Sequence, residues 1–147
     1  MERLEVVVRK KDGVILPSYA TESSSGLDLV AFLEEEPVVL APFARALIPT
    51  GIHIGIPEGF EAEIRPRSGM AHKFGVTVLN TPGTIDSDYR GEVKALLINL
   101  GDQPFTISNG DRIAQMIFKS VVVINWRLVE ELPGTKRGQG GFGSTGR

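Results

Sequence analysis

Residues 46–56 read Ala46-Leu47-Ile48-Pro49-Thr50-Gly51-Ile52-His53-Ile54-Gly55-Ile56. Apolar side chains recur at every second position: Ala46 and Ile48, then Ile52, Ile54 and Ile56. This is the pattern of a half-buried strand, because successive strand side chains point to opposite faces. Pro49-Thr50-Gly51 interrupts it, so a turn or bulge is expected inside the strand. The same signal continues outward. Leu4 to Arg9 is a short β-branched run, Phe60 to Ile64 alternates, and Val93 to Leu100 alternates in part. Ile113 to Phe118 and Val121 to Trp126 read as further strands. Prolines at 17, 37, 42, 49, 57, 66, 82, 104 and 133 leave little room for long helices, and only Ser68 to Phe74 suits a short one. Many short strands between Gly and Pro turns predict an all-β sandwich, jelly roll or barrel. The unbroken run Val121-Val122-Val123-Ile124 implies burial on both faces. A sandwich interior and a subunit interface both supply that.

The chain has 147 residues, enough for one domain with a sizeable core. A formal charge of -2 argues against a surface that coats nucleic acid, which needs a basic footprint. The absence of cysteine excludes disulfides and Cys-ligated metals. With only His53 and His72, a histidine-rich metal cage is a poor fit, and Mg²⁺ held by carboxylate and phosphate oxygens suits the composition better. Met1-Glu2-Arg3-Leu4-Glu5 carries no apolar signal core, and no apolar run approaches transmembrane length. A soluble, cytoplasmic protein with no nucleic-acid or membrane partner is expected.

The clear composition shift comes at Pro133-Gly134, dividing a body, 1–133, from an arm, 134–147. Arg137 to Arg147 contains five glycines, each of which loses much backbone entropy on ordering. Yet glycine lets backbone N–H groups approach anionic oxygens, Ser144 and Thr145 add hydroxyls, the arginines add charge, and Phe142 offers a flat face for a base. An arm that orders over a nucleotide and a floppy terminal tail are the two readings. Gly141 to Arg147 approaches the phosphate-loop pattern, but that loop needs a following helix and a lysine, and neither is present.

Three further stretches carry chemistry. In Ser24-Ser25-Gly26-Leu27-Asp28-Leu29, Asp28 lies between leucines, where a carboxylate needs a partner; a turn-capping aspartate is the plain alternative. Arg65-Pro66-Arg67-Ser68-Gly69 sets two arginines and a hydroxyl before the short helix, with Ser68 suited to its N-cap. In Gly83-Thr84-Ile85-Asp86-Ser87-Asp88-Tyr89-Arg90-Gly91, Asp86 and Asp88 share a side if the segment is extended. That is a metal or acid–base pair, or a polar hairpin loop closed by its glycines.

Taken in order, these stretches resemble the five motifs of the homotrimeric dUTPases over nearly the whole chain. They are Ser25-Gly26-Leu27-Asp28-Leu29, Pro66-Arg67-Ser68-Gly69, Asn80 through Gly91, Gly110-Asp111-Arg112-Ile113-Ala114-Gln115-Met116-Ile117, and the Arg137 to Gly146 arm. Ser25 stands where the family usually has alanine. The resemblance implies a distorted β jelly roll with one short helix. It implies a homotrimer with active sites at subunit boundaries, each completed by a C-terminal arm from another chain. The implied reaction is dUTP plus water giving dUMP and pyrophosphate. Asp86 would orient and deprotonate the attacking water, Tyr89 would pack on the deoxyribose, and Asn80, in the hairpin with Gly83, would read the uracil edge. Arg67, Ser68, Gly69 and Gln115 would hold phosphates. Phe142 would stack on uracil, with Arg137, Gly143, Ser144 and Thr145 on the outer phosphates. Mg²⁺ would be chelated by the triphosphate, with Asp28 reaching it through water.

Two other readings compete. A dCTP deaminase, or its bifunctional form, shares this fold, but such proteins typically lack the full glycine-rich fifth motif. A non-catalytic nucleotide-binding trimer would have lost activity, yet Asp86 and Tyr89 are both present.

Overall fold

The computed structural model describes residues 3–146. The expectations for Met1, Glu2 and the terminal Arg147 lie outside the described residues. The strands are β1 (Val7–Lys10), β2 (Ser18–Tyr19), β3 (Leu27–Val30), β4 (Val38–Leu40), β5 (Arg45–Gly55) and β6 (Phe60–Arg65). After the helix α1 (Ser68–Phe74) come β7 (Val76–Val78), β8 (Gly83–Ile85), β9 (Glu92–Asn99), β10 (Phe105–Ile107) and β11 (Arg112–Ser120). They form a four-stranded sheet ordered β1-β5-β9-β7, a five-stranded sheet ordered β2-β3-β11-β6-β8, and a β4-β10 ribbon. Every ladder is antiparallel. This is the expected jelly roll.

The alternation in 46–56 folds as predicted. Ile48, Ile52 and Ile54 turn into the core with Val93 and Leu97 from the adjacent β9 and with Leu29, Leu40, Ile107 and Ile113 from other strands. Burying one such side chain contributes roughly 1.5–3 kcal/mol. The interruption is a register shift: from Pro49 to His53 the pairing moves only from Lys94 to Glu92. Gly51 supplies the left-handed backbone there, at φ 71°.

Asn99, fully buried at the end of β9, is satisfied on all sides. Its amide donates to the carbonyls of Leu40 and Gln103 at 2.9 and 2.8 Å, and its Oδ1 accepts from Gly101 N–H at 2.9 Å. It joins β9 to β4 and to the following loop.

The helix spans Ser68–Phe74 as expected, and Gly75 ends it in the left-handed conformation with its N–H returned to Ala71 O at 3.0 Å. The capping expectation is corrected. Arg67, extended and without a side-chain cap bond, holds the N-cap position, and Ser68 is already helical.

Two other local readings are corrected. Asp28 lies within β3, not in a turn. Val121 to Trp126 forms no strand. Val121 N–H still reaches Gly59 O at 2.8 Å, but Val122 is 83% exposed and Trp126 93%. The apolar pattern is real, but among the described residues no strand edge pairs with this segment. No helix among the described residues is long and apolar enough to cross a membrane.

Candidate active site

The five-stranded sheet gathers three of the stretches. Adjacent strands set Gln115 on β11 opposite Asp28 on β3 and opposite Arg65 on β6. Gln115 Nε2 donates to Pro66 O at 3.0 Å. Glycine at 26 leaves room for Gln115, since a Cβ there would stand 2.5 Å from Gln115 Oε1 and displace it. Asp28, with 19% of its side chain exposed, is partnered as its position between leucines requires. Its Oδ1 lies 3.2 Å from Arg67 Nε and its Oδ2 3.3 Å from Arg112 Nη1. Arg67 Nη1 also donates to Arg112 O at 3.2 Å. A guanidinium only donates, so Arg67 offers no acceptor to the free N–H groups at the start of α1. Ser68 and Gly69 follow at the exposed start of α1.

The Asn80 to Gly91 stretch builds a cavity of about 490 Å³ beside β9. Asn80, Gly83, Asp86 and Tyr89 line it with Leu47, Ile64, Thr84, Glu92, Lys94 and Leu96. Its size is within the ordinary range for small-molecule sites. Ile64 pairs with Gly83, so β6 runs from this cavity to the Arg67 cluster. A Cβ on Gly83 would stand 3.1 Å from Asn80 Nδ2, so glycine leaves the amide its room. Asp86 and Asp88 do not form an extended pair: Tyr89 N–H returns to Asp86 O at 3.1 Å and closes a turn. Tyr89 Oη donates to Glu92 O at 3.1 Å, laying the ring over Gly91, where a Cβ would meet the phenol.

Among the described residues the arm joins neither group within the chain. Its hydrogen bonds are local, with Arg137 Nε to Gly140 O at 2.8 Å and Ser144 N–H to Gly141 O at 3.0 Å. Phe142 is fully exposed, and none of Gly143, Ser144 and Thr145 lines the cavity. Nor does any of Asp28, Arg67 and Gln115.

Among the described residues no group of three or more His, Asp or Glu converges as a metal cage. One carboxylate, Asp28, beside donor side chains fits a Mg²⁺ that takes its other ligands from water and a bound anion. Glu63, buried on β6 between Arg65 and Lys119, belongs to the sheet. Hydrogen bonds from Arg65 first and Lys119 second hold its carboxyl below the ordinary value.

Residue reasoning gave Arg112, Glu92 and Lys94 no role. Arg112 secures Asp28, while Glu92 and Lys94 line the cavity. The available signal was period two: Glu92, Lys94 and Leu96 share the face of β9 opposite the buried Val93, Ala95 and Leu97.

A sequence model of the family described as dUTPase matches residues 12–146. The chain is 56% identical to a deoxyuridine 5'-triphosphate nucleotidohydrolase of Ehrlichia canis (strain Jake), over 97% of this chain and 94% of that one. Among solved structures it resembles the Staphylococcus bacteriophage 80alpha dUTPase with dUPNHPP, at 25% identity and a TM-score of 0.86, over 97% and 99% of the two chains. It also resembles a mutant dUTPase from phage phi11 of S. aureus, described as coordinating a structural Mg(II) ion, at 22% identity and a TM-score of 0.77, over 88% and 99%. With its fold, its ordered motifs and these likenesses in agreement, the chain belongs to the dUTPase family.

Proposed function

We propose that this protein hydrolyses dUTP to dUMP and pyrophosphate by attack of water on the α-phosphorus. The observation that carries the reading is the cavity in which Asn80, Asp86 and Tyr89 meet, in a chain of this family. Asp86 orients the water and accepts its proton. The Tyr89 ring, fixed by its bond to Glu92 O, packs on the deoxyribose and leaves no room for a 2′-hydroxyl. Asn80 reads the uracil edge, where a polar mismatch is rejected on the order of 10⁴-fold, far more than a missing methylene.

Arg67, Ser68, Gly69 and Gln115 bind the phosphates. Phosphoryl transfer needs positioning and charge neutralisation more than covalent help. Asp28 would hold, through water, a Mg²⁺ carried by the triphosphate, and that ion would supply charge neutralisation for the leaving pyrophosphate.

A homotrimer completes the site. Among the described residues the cavity and the Arg67 cluster share no lining residue, the Val121 to Leu132 segment leaves its apolar side chains uncovered, and the arm bonds only to itself. All three features support active sites at subunit boundaries, closed by an arm from another chain. There Phe142 stacks on uracil, while Arg137, Gly143, Ser144 and Thr145 grip the outer phosphates and exclude water.

Hydrolysis in ¹⁸O-water tests the chemistry. The label is expected in dUMP and not in pyrophosphate; label in pyrophosphate would move the attack to another phosphorus. Ammonia release from dCTP would instead favour a deaminase.

A further inference from the structure

We infer that His53 is a positioning residue for the turn that carries Asp86 and Tyr89, acting through Arg90. The inference rests on the reading of that turn as catalytic. One backbone bond closes the turn, Tyr89 N–H to Asp86 O. Arg90 secures its outer side: Nη1 donates to Ser87 O at 2.7 Å and to Tyr89 O at 2.8 Å. The Arg90 carbonyl is in turn 2.9 Å from His53 Nδ1. A carbonyl only accepts, so Nδ1 carries the hydrogen and donates it.

His53 reaches Arg90 because of the irregularity in β5. Between Pro49 and His53 the strand gains length on β9, and three of its groups turn to the start of β9 and the residue just before it. Thr50 Oγ1 donates to Val93 O at 2.5 Å, Gly51 N–H donates to Glu92 Oε1 at 2.9 Å, and His53 takes the carbonyl nearest the turn. A bulge that re-aims side chains beside a site is a recurrent use of this irregularity. Thr50 and Gly51 are buried and hold the strands together, whereas His53 is half-buried beside an open hollow with Val7, Arg9 and Arg90. Its removal therefore loosens the turn without opening the core.

Release of Arg90 O frees Gly91, on which the Tyr89 ring rests. Turnover and sugar selectivity are then lost together. A structural defect elsewhere would lower the amount of folded enzyme and leave the ratio of dUTP to UTP turnover unchanged.

The test compares the wild-type protein with His53→Ala and His53→Asn. Asparagine offers a side-chain N–H near the position of Nδ1. Hydrogen exchange of amides 86–91 is read together with kcat and KM for dUTP and UTP. In His53→Ala, exchange at 86–91 is expected to quicken and kcat for dUTP to fall roughly three- to tenfold, with KM little changed. The dUTP preference narrows in step, and His53→Asn recovers both. Wild-type exchange and selectivity in His53→Ala would overturn the inference, as would a loss that asparagine leaves uncorrected. A wild-type protein inactive on dUTP would refute the functional reading instead, and the exchange rates would still decide the tether.

Discussion

Asp28 on β3 holds Arg67 at the edge of α1, with 3.2 Å between Oδ1 and Nε. The pair joins the first motif to the second and fixes a guanidinium beside the proposed phosphate site. Asp28→Asn removes the charge that aligns both Arg67 and Arg112. The expected cost is about 1–2 kcal/mol of stability, since the group is partly buried and its cations lose their partner. KM for dUTP rises several-fold. Urea unfolding and steady-state kinetics check the two effects separately.

Gly26→Ala is expected to disturb the site without unfolding the protein. The new Cβ meets the far end of a flexible side chain, Gln115 Oε1 at 2.5 Å, which moves aside at small cost. Gln115 then loses its place for the phosphates, so KM rises about tenfold while the thermal midpoint stays near wild type. A large fall in that midpoint would contradict this account of the glycine.

Asp86→Asn keeps the shape of the cavity but removes the proposed proton acceptor. Turnover is expected to fall by about 10²–10⁴-fold with nucleotide binding retained. Calorimetry with a non-hydrolysable dUTP analogue checks this, because binding lost in parallel with turnover would give Asp86 a structural role.

Among the described residues the arm bonds only within itself, so removing residues 134–147 should leave unfolding unchanged. Turnover should fall on the order of a hundredfold, because phosphate donors and water exclusion are both lost. Comparison of melting curves with kcat for the truncated and full chains decides between an active-site arm and an idle tail.

Glu63 gives the pH dependence. Its folded pKa lies below the ordinary 4.5, through hydrogen bonds from Arg65 and then Lys119. A depressed carboxyl stabilises the fold above its unfolded pKa, and that contribution is lost as pH falls through the folded value. Glu63→Gln should therefore melt below wild type at neutral pH, with the gap closing as pH drops below about 4.5. Melting curves across this range would contradict the pairing if the gap stayed constant.

What could be read from the sequence was local. The β5 alternation and its interruption are both visible within one short stretch, and Pro66 and Gly75 bracket the helix. The three-residue strands β4, β7, β8 and β10 are too short to show a period and exist because a neighbour pairs with them. Asp28 announced that it needed a partner but not which one, since Arg112 lies 84 residues away. The His53 tether crosses 37 residues and was equally hidden. Val121 to Ile124 misled as a strand because apolar pattern reports a need for burial, not where the covering surface comes from.

The most direct measurement is pyrophosphate release by the purified protein with Mg²⁺, offered dUTP, dTTP, dCTP and UTP in parallel. The account predicts release from dUTP alone, with thymine, cytosine and the 2′-hydroxyl each rejected. Equal release from all four, or none from dUTP by folded and oligomeric protein, would contradict it.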